Sequence, residues 1–101
     1  MKDLERKMFL GFIQVHVLHH ADKEPIYGSY MLEELKSHGY EIGASHIYPL
    51  LARLKKEGFL ASYVKLVSGK NRKYYTITEK GKSILKEAQK ALKEMVKEVL
   101  T

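Results

Sequence analysis

The stretch from Ser45 to Gly58, SHIYPLLARLKKEG, leaves a chain of this size few ways to fold. At helical period Ile47, Leu50, Leu51 and Leu54 form one apolar stripe, while Ser45, His46, Tyr48, Arg53 and Lys56 point elsewhere. Pro49 has no N–H to donate, so it belongs near the first turn or kinks the helix. Gly58 follows Lys55 and Lys56, where a helix is expected to stop. A polar, aromatic leading end on a buried body suits a helix that enters a DNA groove while staying anchored in a core. An ordinary amphipathic core helix carries the same stripe, so the flanking segments must decide between the two.

Upstream, Ile26 to Gly39 reads as a helix with Tyr27, Met31 and Leu35 on one stripe and Leu32 beside it, ended by Gly39. Tyr40 to Ala44 connects it to the Ser45 helix, a spacing that fits a helix-turn-helix. Downstream, Phe59 to Val67 alternates, with Leu60, Val64 and Leu66 on one face and Ala61, Tyr63 and Lys65 on the other. Ser68-Gly69-Lys70-Asn71 is a turn signal, and Arg72 to Thr78 resumes the alternation. Helix, helix and a hairpin with Lys70, Arg72 and Lys73 at its tip is the order of a winged helix. The fold class expected is mainly α with a β-hairpin.

The charge distribution agrees. Residues 1–52 hold five Lys/Arg and seven Asp/Glu, whereas residues 53–73 hold seven Lys/Arg and only Glu57, so this block alone carries the chain's net +6. Such a patch on an otherwise balanced chain suggests a polyanionic partner, although a lysine-rich solvated face has the same composition. Three cations within four positions at the hairpin tip, near Arg53 and Lys56, suit a phosphate clamp.

Two long helices flank this unit. Leu4 to His20 is apolar over most of its girth, which calls for burial on more than one side. One side can face the core and the other, with Phe9 and Phe12, a second subunit. After Thr78, placed to cap a helix, Leu85, Ala88, Leu92, Met95 and Val99 are spaced as a coiled-coil seam broadened by Val96. That seam predicts a homodimer; the competing reading packs it back on the first helix. The organisation expected is a DNA-binding unit over residues 1–78, including the helix over 4–20, and a dimerisation helix over 79–101.

Several chemistries find no support. There is no cysteine, which removes disulfides and thiolate metal sites. The apolar run from Met8 to Leu18 is too short to span a bilayer and no small-residue cleavage site follows it, so a cytoplasmic location is expected. No Gly-rich phosphate loop, HExxH or nucleophile elbow is present, so no enzyme and no cofactor are expected. His16 and His20 have metal-ligand spacing, but the sequence is HVLHH; with His19 they read as surface residues or partners of the helix dipole, and no metal is expected.

From Pro25 to about Leu85 the chain resembles the PadR family of transcriptional regulators. The residues that carry the resemblance are Tyr27-Gly28, Ile47-Tyr48-Pro49-Leu50-Leu51, Arg53-Leu54, Glu57-Gly58, Lys73-Tyr74-Tyr75 and Thr78-Glu79-Lys80-Gly81. The resemblance implies a winged helix-turn-helix dimer held by its first and last helices. It also implies repression, with Tyr48 near the DNA backbone and the wing along the duplex. Ser45-His46 and Ser29-Tyr30 depart from residues common in the family, which bears on the operator read and not on the fold. The tryptophan with which some members bind aromatic drugs is missing here.

These readings make double-stranded DNA the expected partner. Ser45 and His46 are expected at base edges, Tyr48, Arg53, Lys56, Lys70, Arg72 and Lys73 along the backbone, and Pro49 with them in the DNA-binding surface. A small-molecule effector between subunits, against Met8, Phe9, Phe12, Leu92 and Met95, is compatible with this. A winged helix that binds only protein is the competing class.

Overall fold

The computed structural model describes residues 2–101. The elements are α1 (Lys2–Lys23), α2 (Gly28–Ser37), α3 (Ala44–Lys56), β1 (Leu60–Val67), β2 (Lys70–Ile77) and α4 (Glu79–Val99). This is the helix-helix-hairpin order with a long helix at either end, a winged helix-turn-helix.

The core joins one face of each of these elements. Val17, Ile26, Met31, Leu35, Ile47, Leu51 and Leu60 are its most deeply buried side chains. The α3 stripe behaves as its spacing predicts: Ile47, Leu50, Leu51 and Leu54 are all buried. Gly58 takes the left-handed backbone (φ 87°) that ends α3, its N–H reaching the Lys55 carbonyl at 3.0 Å.

The hairpin turn is tighter than expected. Ser68 and Gly69 both have positive φ, and Val67 pairs directly with Lys70. A two-residue turn of this hand matches the twist of antiparallel strands, so Lys70 and Asn71 belong to β2 rather than to the turn. The alternation of β1 is buried only at its base. Leu60 lies in the core, while Val64 and Leu66 are exposed because the outer half of the wing projects beyond it.

α2 begins at Gly28, two residues later than the apolar stripe suggests. Ile26 is held in an isolated antiparallel bridge to Tyr75, with N–H···O distances of 2.9 and 2.7 Å in the two directions. The bridge fixes Ile26 as extended chain and ties the entry of α2 to the inner strand of the wing.

Thr78 joins three elements. Its hydroxyl accepts from the Gly81 N–H (3.0 Å), capping α4, and donates to the Gly58 carbonyl (2.6 Å) just past α3. Lys80 Nζ donates to the Glu57 carbonyl at 2.7 Å and lies 4.6 Å from the centre of the Phe59 ring. A Cβ on Gly81 would strike the Phe59 carbonyl, so only glycine permits this approach of α4 to the wing base. The Thr-Glu-Lys-Gly run is thus the fastening between the helix-turn-helix and α4.

Leu85, expected on the association seam, is instead buried in the chain's own core, where α4 crosses α1. The first turns of α4 thus pack back on the chain, as one of its two readings has it, and its later turns do not. Every residue from Gln89 onward is exposed, with Leu92, Met95, Val96 and Val99 among the exposed apolar side chains.

Candidate nucleic-acid interface

The outward side of α3 lies opposite its buried stripe. Ser45, Pro49, Ala52 and Lys56, spaced four, three and four, form the outermost row, and all are exposed. Three of the four are small, which lets the helix backbone approach a groove floor closely. Pro49 sits inside the helix, in its second turn, and the helix is unbroken. Lacking an N–H, it leaves the Ser45 carbonyl without the usual donor four residues on, at a position open to solvent.

Tyr48 flanks this row on the wing side. Its ring packs on the bare Cα of Gly28, where a Cβ would collide with it. Glycine at the start of α2 therefore sets the position of the aromatic ring on α3. His46 flanks the row on the opposite side. It is exposed, stands 3.4 Å from the Ser45 hydroxyl, and lines a shallow hollow with Arg6, Phe9 and Ile42 rather than the wing cleft.

Between α3 and the wing lies a cleft of about 510 Å³ lined by Tyr27, Tyr48, Lys70, Asn71, Arg72 and Lys73, among others. Here the cations of the hairpin meet the leading half of α3. The Arg72 guanidinium lies over the Tyr27 ring, 4.1 Å from its centre, and donates to the Tyr74 hydroxyl at 3.5 Å. Tyr74 in turn stacks on its cross-strand partner Tyr63, with ring centres 5.4 Å apart. The aromatic trio holds one face of the wing stiff beneath Arg72. Tyr27 reads in sequence as part of a core stripe, so this contact was not visible there; neither was the place of Ala52 on the outward row.

Lys65 pairs directly opposite Arg72 across the hairpin. Like charges so placed repel each other, and an anion between them relieves the repulsion. Among the described residues the ion pairs use His20, Glu33, Glu34, Lys36, His38, Glu79, Lys82, Glu87 and Lys90. None draws on Arg53, Lys55, Lys56, Lys65, Lys70, Arg72 or Lys73. The seven cations of the basic block thus hold their charge free for an external partner.

The expected subunit-contact residues fall in two places. Phe9 is 44% exposed on α1, with Phe12 half-buried beside it at a ring separation of 6.1 Å. Phe12 and Leu92 line one hollow of about 310 Å³ between α1 and α4, together with Val15, His16 and Tyr40. Met8 and Met95 are exposed and do not line it. His16, His19 and His20 lie on the last turns of α1. Burial, and then the neighbouring histidines, lower the pKa of His16; burial lowers that of His20 against the pull of Glu34.

An exposed helix with a small-residue ridge, a free basic wing and a core that holds both rigid define a winged-helix transcription regulator. The model of the PadR-like family of transcriptional regulators matches residues 17–87, and the chain belongs to that family. A curated relative, the transcriptional regulator Rv3488 of Mycobacterium tuberculosis, is 38% identical over 88 residues, which span 87% of this chain and 82% of that protein. A PadR-like transcription factor from Bacteroides fragilis superposes with a TM-score of 0.82 at 32% identity, over 96% of this chain and 95% of that one. A PadR-like regulator from Bacillus cereus gives 0.80 at 32% identity, over 94% and 97%. Members of this family regulate transcription and are not enzymes. Among the described residues no helix is long and apolar enough to cross a membrane.

Proposed function

We propose that the protein is a homodimeric repressor that lays two copies of α3 in successive major grooves of a near-palindromic operator. Half-site centres would lie about 34 Å apart, one helical turn. The observation that carries this reading is the set of seven basic side chains, all without ion-pair partners, spread over α3 and the wing. Ser45 and His46 meet base edges. Tyr48, Arg53, Lys56, Lys70, Arg72 and Lys73 lie along the sugar-phosphate backbone, and Pro49 faces the groove. Ala52, between Pro49 and Lys56 on the outward row, joins the groove contact.

Residues 1–78 supply the DNA-binding unit and residues 79–101 the dimerising helix, anchored to its own unit through Leu85. The subunit contact uses Phe9, Phe12, Ala88, Leu92, Met95, Val96 and Val99. Repression is the sign that the resemblance to the family implies.

The test is selection of bound duplexes from a random pool, with the mass of the complex measured alongside. If six of these cations per dimer neutralise phosphates, the slope of log K against log salt is about −5. A flat salt response, or no binding to any duplex at low salt, would overturn the proposal in favour of a winged helix that binds only protein.

A further inference from the structure

The histidines at the end of α1 do not stand alone. His16 and His20 lie four apart on α1, and Glu34 and His38 lie four apart at the end of α2. The two pairs face each other. One ring nitrogen from each of His16, His20 and His38 lies within 4.8 Å of the others. The Glu34 carboxylate stands 3.5 Å from His20 Nε2 and 3.3 Å from His38 Nε2.

We propose that His16, His20, His38 and Glu34 form a zinc site that pins the end of α1 to the end of α2. Ligand atoms about 2.0–2.1 Å from a tetrahedral zinc ion lie about 3.3 Å from one another. The Glu34–His38 and Glu34–His20 separations already match that edge; Glu34 lies outside the set of three histidine nitrogens within 4.8 Å of one another, so its carboxylate must rotate toward His16 to complete the tetrahedron. His16 and His20 stand one turn apart on α1, and Glu34 on α2 with His38 at its C-cap faces them. The donor set, three imidazoles and a carboxylate, is of borderline hardness and suits zinc, with cobalt and nickel as surrogates. Calcium and magnesium, which need mostly oxygen donors, are not served by it.

The site also has access from solvent. The His20 side chain is 15% exposed, Glu34 30% and His38 46%. His19 is outside the converging set, although its ring lies 5.1 Å from that of His20. It supplies an internal control for adventitious binding to a histidine-rich helix end. The proposal is independent of how the protein reads DNA.

The test is calorimetric titration of zinc into the chelator-treated full-length protein, carrying no purification tag. The expected result is one ion per chain, with an affinity weakened at least about tenfold by His38→Ala and by Glu34→Gln, and left unchanged by His19→Ala. Circular dichroism confirms that each variant is folded, which the exposure of His38 favours. Cobalt in place of zinc should give the intense visible absorption of four-coordinate geometry, lost in His38→Ala. Absence of saturable binding below about 0.1 mM zinc, or equal affinity in the wild type and in both His38→Ala and Glu34→Gln, would overturn the proposal.

Discussion

Arg72 on the wing and Tyr27 ahead of α2 are in cation–π contact, the guanidinium carbon 4.1 Å from the ring centre. An arginine on a projecting hairpin is otherwise free to sweep a wide volume. Held on Tyr27 and bonded to Tyr74, it presents its remaining N–H groups in a fixed direction and loses less freedom when it meets a phosphate.

Tyr27→Ala is therefore expected to weaken binding to every duplex by about two- to five-fold, the equivalent of an exposed cation–π contact of ~0.5–1 kcal/mol. Tyr27→Phe should keep most of the affinity, since the ring face is retained. Fluorescence anisotropy on operator and non-operator duplexes checks both. A loss confined to the operator would mean that Tyr27 acts on base reading instead.

Two glycines should fail in different ways. A Cβ on Gly28 meets the ring of Tyr48, which is 49% exposed and free to swing away. Gly28→Ala is expected to cost under about 1 kcal/mol of stability yet to reduce DNA affinity, with no further loss when Tyr48→Ala is added. A Cβ on Gly81 meets the backbone of Phe59, which cannot move aside. Gly81→Ala is expected to destabilise by about 1–3 kcal/mol. Urea denaturation set beside anisotropy separates the two.

Thr78→Val keeps the shape and removes both hydroxyl hydrogen bonds, to Gly81 and to Gly58. A loss of about 1–2 kcal/mol is expected from the missing cap and the orphaned partner. Thr78→Ser should retain most of it. A denaturation midpoint for Thr78→Val equal to that of the wild type would show that water replaces these bonds at no cost.

Two leucines on α4 should part company as well. Leu85→Ala opens a cavity in the core, and about 2–5 kcal/mol of stability should go. Leu92→Glu or Val99→Glu leaves that core alone and places charge on the proposed subunit contact. Sedimentation should then show a shift from dimer to monomer, with the helical spectrum of the folded unit retained. A dimer that persists in both would remove α4 from the interface.

The elements whose signals are local were legible in the sequence. The α3 stripe, the glycine after it, the strand alternation and Thr78 ahead of α4 each depend on near neighbours alone. What was hidden depends on chain segments meeting from a distance. Ile26 has the apolar spacing of α2 but is claimed by Tyr75, far along the chain. Leu85 fits a coiled-coil seam and a core equally well, and only the crossing of α1 decides between them. Val64 and Leu66 alternate as buried residues do, yet the strand outruns the core beneath it. On the reading face, the charge block was evident from composition, but the support of Arg72 by Tyr27 needed α2 and β2 to be placed. The convergence of His38 on His16 and His20 likewise needed the angle between two helices.

The bridge between Ile26 and Tyr75 is made by main-chain atoms alone. Proline at either position would remove one of its two N–H donors, whereas any other side chain leaves the donors and acceptors of the bridge in place. The joint lies just ahead of the first turn of α2, where Gly28 carries the ring of Tyr48. Wing and α3 are in this way joined through the peptide backbone at the entry of α2.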